Sequence, residues 1–171
     1  ANVDYEMELI SGIYEILPNR FGAGIIQNNF ELLGEIKYTD SEIEYANTIL
    51  KETGKELKGL DGTIKPLRPT LPATGGSTDV GDVSQVVPVV RLRTTTAAKD
   101  GPWHSWAVVA CTGMSIGHKG MIYASKALAM TMLDLYKNPK LIDGVRKEFL
   151  VRKGDRVYVP QIPPGPPKLI D

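Results

Sequence analysis

The residues best suited to chemistry lie in three polar, glycine-flanked segments. They are Gly75-Gly76-Ser77-Thr78-Asp79-Val80-Gly81-Asp82-Val83-Ser84, then Gly101-Pro102-Trp103-His104-Ser105-Trp106, then Ser115-Ile116-Gly117-His118-Lys119-Gly120. Small residues, hydroxyls and acids cannot fill a core, so packing does not account for the first of them. His104 and His118 are the only histidines of the chain. Carboxylates and imidazoles held on loops are what a metal site or a proton-transfer site needs. Each also has a structural reading. His104 can order the turn between Trp103 and Trp106, and Asp79 and Asp82 can accept backbone donors or cap a helix starting near Val80. His118 and Lys119 can flank a helix start, although a cation there opposes the helix dipole and suggests a further role, such as neutralising a carboxylate. Ser77 and Ser84 lack the Gly-x-Ser-x-Gly setting of a nucleophile.

These motifs together resemble the C-terminal part of the aminobenzoyl-glutamate utilisation protein B family. That family is a branch of the aminoacylase and carboxypeptidase type of zinc metallopeptidase. The resemblance rests on the Ser77 to Ser84 run followed by Val87-Pro88, on His104-Ser105-Trp106, on Ile116-Gly117-His118-Lys119-Gly120-Met121, and on the alanine-rich stretch behind them. It extends upstream through Leu17-Pro18-Asn19 and Tyr38-Thr39-Asp40-Ser41-Glu42 and downstream into the Pro-rich tail.

The resemblance implies a metal-dependent amidohydrolase that cleaves an N-acyl or aminobenzoyl amino acid. Two zinc or manganese ions would activate water, with a glutamate as base. It makes His104 a metal ligand, and Asp79, Asp82, His118 and Lys119 substrate-binding or supporting residues. The His-x-Asp and Glu-Glu patterns that bring the other ligands and the base do not occur here, since Trp106 and Gly120 stand where an acid would follow each histidine. No catalytic residue is therefore assigned within the chain. The sequence reads as the last third of such an enzyme, inactive and metal-free alone, and its lack of an initiator methionine is read as truncation or processing. The alternative is a non-catalytic module for interaction or self-association.

Composition narrows the partners. Twenty basic and 20 acidic residues balance to zero net charge, which gives no electrostatic reason to expect nucleic acid or an anionic membrane. No apolar run approaches the ~20 residues that span a bilayer. The single cysteine, Cys111, excludes an internal disulfide and fits a cytoplasmic location. With 171 residues, 42% of them hydrophobic, the chain is large enough for one core. A small-molecule amide substrate and a homo-oligomer are the expected partners.

The elements that must hold these residues read as an α/β domain, helices on a mixed sheet. The resemblance makes residues 1–16 a remnant strand of the lid, or dimerisation, domain, and 17–171 the C-terminal part of the catalytic domain with its Pro-rich tail. Alternation over residues 3–16 predicts an edge strand, and the β-branched run 86–94 predicts another. Pro18-Asn19 opens a helix that ends at Gly34. Thr39 and Glu42 form a capping box for a helix running to Gly54. Residues 55–76 read as a long irregular connection, and 107–111 as an apolar link of open type. A strong helix over 121–136 is expected to bury itself against the sheet, with the loops of Asp79, His104 and His118 converging at one end. Asn138-Pro139 ends it and starts another helix to about Leu150, ahead of an extended tail from Gly154.

Overall fold

The computed structural model describes residues 3–68 and 76–166. Those residues form six helices: α1 (Arg20–Leu33), α2 (Asp40–Glu52), α3 (Val80–Val86), α4 (Trp106–Thr112), α5 (Ser115–Lys137) and α6 (Pro139–Lys153). The expected irregular connection is without regular structure over 55–68, and 69–75 lie outside the described residues, as does the end of the tail from 167.

Local chemistry sets the helix ends. The Asn19 side chain accepts from the Gly22 amide at 2.8 Å to start α1, and Gly34 closes it in a left-handed conformation at φ 74°. Both halves of the Thr39/Glu42 capping box form on α2. Asn138 ends α5, caps α6 and is followed by Pro139 at the first helical position, where its missing N–H costs nothing.

The main core joins α2, the loop at Ala98, α4 and the start of α5 through Ala46, Ile49, Leu50, Ala107, Cys111 and Ile116. A second packed region lies where α1 crosses α5 and α6. There Asn29 donates to Thr131 at 3.1 Å and to Asp134 at 2.8 Å, so a buried amide is satisfied rather than stranded. Gly144 admits the Phe21 ring, since a Cβ on it would stand 2.3 Å from the ring edge.

The structure overturns the α/β expectation: the described residues contain no strand and no sheet. Residues 3–16 have no regular secondary structure and pair with nothing as a strand, and Tyr5 and Met7 are exposed at 91% and 86%. The run expected as a second strand is split, because Val86 ends α3 and 87–94 continue without regular secondary structure. β-Propensity reports how side chains fit a pleated, paired surface. A strand exists only where another backbone completes its ladder, and no segment among the described residues offers that edge.

The helix expected over 121–136 does not pack on a sheet either. α5 packs on α1, α4 and α6 through a face that includes Ile116, Ala127 and Thr131. On the opposite side, Met121, Met132 and Tyr136 remain exposed at 56%, 69% and 90%. At 100° per residue these three share one arc, so α5 is apolar on two faces and has only one of them covered.

α5 also begins six residues earlier than its apolar pattern indicates, at Ser115. Gly117 and Gly120 obscure that start, since glycine costs about 1 kcal/mol in a helix interior. Both are required by close approach: a Cβ would stand 2.0 Å from the Thr112 carbonyl oxygen at Gly117 and 2.3 Å from that of Thr95 at Gly120. His118 and Lys119 consequently lie inside the first turns of α5 rather than on a flank before it.

Candidate functional site

The three polar segments meet different fates. Gly81, in the first turn of α3, lies so close to the N-terminal chain that a Cβ would stand 1.8 Å from the Tyr14 carbonyl oxygen. Asp82 accepts from the Tyr14 amide at 3.3 Å and from the Tyr158 hydroxyl at 3.1 Å. Ser84, fully buried, accepts from the Leu17 amide at 2.8 Å and donates to the Gly81 carbonyl at 2.6 Å. Gln85 donates to the Glu15 carbonyl at 2.9 Å. The α3 segment is therefore a clamp on the chain at 14–17 and on the tail at Tyr158. Asp79 stands exposed before it and makes no capping bond to α3.

His104 is held differently. Asp100 and His104 both adopt left-handed backbone, at φ 59° and 57°, and bracket Gly101-Pro102-Trp103. Ser105 closes the turn by donating to the Pro102 carbonyl at 2.6 Å and caps α4 by accepting from Ala107 at 3.3 Å. A Cβ makes that backbone region costly, which marks the residue for attention. The His104 imidazole is exposed and makes no hydrogen bond or ion pair among the described residues. Trp103 and Trp106, exposed at 70% and 55%, stand beside it in sequence. The hollow under this loop holds about 10 Å³, room for one water at most.

The third segment meets a residue that the sequence identified only as a cap. Glu42, its side chain 8% exposed, accepts from Lys119 Nζ at 2.6 Å, from Ser115 Oγ at 2.6 Å and from the Thr39 amide at 2.7 Å. Burial pushes its carboxyl up, but the bonds from Lys119, Ser115 and the Thr39 backbone outweigh that and hold it at about 2, against an ordinary 4.5. Lys119 also donates to the Lys37 carbonyl at 3.0 Å and lies 5.6 Å from the centre of the Tyr38 ring. Burial pushes the Tyr38 hydroxyl up to about 12. The cation that the helix dipole disfavours is thus compensated by a buried carboxylate. His118, one position earlier, is exposed and borders an open cleft of about 460 Å³ between α5 and the chain that follows α1.

Of the five residues singled out in the sequence, the structure joins His118 and Lys119 at one cleft. Asp82 is tied into the α3 clamp, and Asp79 and His104 stand exposed on separate loops. No three His, Cys, Asp or Glu side chains gather around a cation position among the described residues. His104 is a single donor, and these residues alone do not fit a metal shell. Glu42 escapes notice as the acceptor of Lys119 and Ser115 because it lies 77 and 73 positions from them in sequence. The one signal in the sequence is a lysine placed against the dipole.

Comparison with known proteins adds a relationship. The chain is 35% identical over 89 residues to a subunit of p-aminobenzoyl-glutamate hydrolase from Escherichia coli (strain K12), covering 52% of this chain and 18% of that protein. It is 39% identical over 74 residues to Xaa-Arg dipeptidase of Mus musculus, covering 43% of this chain and 17% of that protein. The matched stretches span less than a fifth of either relative's length. These partial homologues support an amidohydrolase or peptidase relationship. No protein-family model matches the chain, and no solved structure matches it. No helix among the described residues is long and apolar enough to cross a membrane.

Proposed function

We propose that the chain is the C-terminal portion of a metal-dependent amidohydrolase that cleaves the amide bond of an N-acyl or aminobenzoyl amino acid. The partial homologues support the hydrolase class. The observation that carries the reading to a residue is His104, an exposed and unengaged imidazole carried on a left-handed backbone between two exposed tryptophans. A residue held in costly geometry without an internal partner is best explained by a partner outside the chain. His104 is assigned as one ligand of a zinc or manganese ion, with the remaining ligands and the general base contributed by residues beyond this sequence. Asp79, exposed near the start of the clamp, is assigned to the substrate side. Asp82, already bonded to Tyr14 and Tyr158, supports it. Residues 3–16 would belong to the lid. The buried free thiol of Cys111 favours a cytosolic setting.

The decisive material is the coding sequence upstream. A polypeptide extended to include in-frame His-x-Asp and Glu-Glu pairs is expected to hydrolyse p-aminobenzoyl-glutamate or a dipeptide with added zinc or manganese. His104→Ala should abolish that turnover, and the 171-residue chain alone should show none. Turnover by the short chain that vanishes in His104→Ala would overturn the division of the site between two portions.

A second reading is supported by the uncovered face of α5: a module that associates through that face, with a second copy as its partner. An upstream region without either pair, together with a stable dimer at micromolar concentration, would favour it.

A further inference from the structure

Ser115, His118, Lys119, Ile122 and Lys126 follow one another along α5 at helical spacing and share one face. That face forms one wall of the cleft of about 460 Å³, and Leu33 at the end of α1 with Ile36 and Lys37 after it form the other. The volume lies within the range of small-molecule sites, roughly 300–1,000 Å³. Ser115 and Lys126 are 11 residues apart, so the wall is about 16 Å long at 1.5 Å per residue.

The charges around the cleft do not balance once internal pairs are set aside. Lys37 is engaged by Glu35 at 2.8 Å, and Lys119 by Glu42 at 2.6 Å. Lys126 and His118 remain, both exposed and neither making an ion pair or side-chain hydrogen bond among the described residues. Between them along the helix lies Ile122, half exposed. Beside it the Tyr123 ring stacks on Phe30 at 5.4 Å, and its hydroxyl is fixed by the Gly34 carbonyl at 2.8 Å. The result is a rigid apolar floor with unpaired donors at its margin, a surface that suits a ligand with one apolar part and one anionic group.

We propose that this cleft binds a small amphipathic carboxylate, with its carboxyl group on Lys126 and His118 and its apolar part against Ile36, Ile122 and Tyr123. The inference rests on the geometry of α5 and the chain after α1. It stands apart from the amidohydrolase reading, so either can fail alone. A bare inorganic anion would use the Lys126 and His118 donors and leave the floor wet, which disfavours it relative to a carboxylate carrying a ring.

The test is an amide-resonance titration of the whole chain with benzoate, with benzamide and inorganic phosphate as comparators. Benzoate should give saturable shifts confined to residues 33–37 and 115–126. Benzamide, the same ring without the charge, and phosphate, the charge without the ring, should each bind about tenfold more weakly. Lys126→Ala combined with His118→Gln should weaken benzoate about tenfold with an unchanged circular-dichroism spectrum, while Lys140→Ala on α6 leaves it unaltered. Shifts that do not saturate or that map elsewhere, benzamide or phosphate binding as tightly as benzoate, or a folded double variant with undiminished affinity would each overturn the proposal. The wild-type comparators decide the matter even if a variant misfolds.

Discussion

The clamp at α3 and the loop at His104 look alike as sequence, both short, glycine-flanked and polar, yet the fold uses them in opposite ways. At α3 nearly every polar group is engaged inside the molecule: Asp82 by Tyr14 and Tyr158, Ser84 by Leu17 and Gly81, Gln85 by Glu15. At the loop Ser105 closes the turn and Asp100 pairs with Lys58 at the surface, but the imidazole of His104 is left to solvent. Hydrogen-bonding capacity satisfied within the chain explains itself as structure. Capacity left open on a strained backbone calls for something beyond the chain.

The largest effect should come from breaking the clamp. Gly81→Ala places a methyl within 1.8 Å of the Tyr14 carbonyl oxygen, and backbone cannot yield as a flexible side chain can. A loss of about 3 kcal/mol is expected by urea denaturation, with the chain at 14–17 becoming open to proteolysis. A neutral result would mean that the clamp does not hold the N-terminal segment, and the contrast with the His104 loop would collapse.

Glu42→Ala should follow at about 2–3 kcal/mol, because it removes half of the capping box and leaves Lys119 and Ser115 without their acceptor. Its pH dependence has a definite sign. The folded carboxyl titrates at about 2 and the unfolded one at 4.5, so the contribution is fully present above pH 4.5 and declines as pH falls toward 2. Stability of the wild-type chain should drop across that window, and Glu42→Gln should flatten the drop. An unchanged slope in Glu42→Gln would place the acid sensitivity in another carboxylate.

Asp82→Ala should cost about 1 kcal/mol, since it removes two partly buried bonds but leaves the close packing of Gly81 on Tyr14 in place. Loss of activity in an upstream-extended enzyme, out of proportion to that small change, would move Asp82 from the clamp toward the substrate side.

How far the sequence discloses this depends on the range of the interaction. Caps at Asn19, Thr39 and Asn138 are legible because donor and acceptor lie within three residues of one another. The strand expectation fails because the alternating run at 3–16 and the β-branched run at 86–94 announce a surface to be paired, and the pairing depends on a neighbour that neither run contains. The start of α5 is hidden by Gly117 and Gly120, whose reason lies in carbonyls of Thr112 and Thr95. Asp82 draws notice as a polar residue without a purpose, but its purpose sits 68 positions away at Tyr14 and 76 away at Tyr158. His104 can be picked out by residue type, whereas the left-handed backbone that distinguishes it cannot.

That backbone supplies the smallest and sharpest test. At φ 57° His104 occupies a region that glycine adopts freely and that costs a residue with a Cβ about 1 kcal/mol or more. If the imidazole serves the fold, His104→Gly removes a useful side chain and lowers stability. If it serves something beyond the chain, the same change relieves strain and loses no internal bond, so the thermal midpoint should rise by the equivalent of about 0.5–1 kcal/mol. Asp100→Gly, at φ 59° in the same loop, calibrates what relief of strain alone is worth, although it also removes the Lys58 ion pair at 3.0 Å on the exposed surface. A midpoint for His104→Gly that falls while Asp100→Gly holds steady would return His104 to the fold and leave the loop no different in kind from the clamp. A rise in both, with turnover of the upstream-extended enzyme lost only in His104→Gly, would show a strained residue kept for its chemistry at the expense of stability.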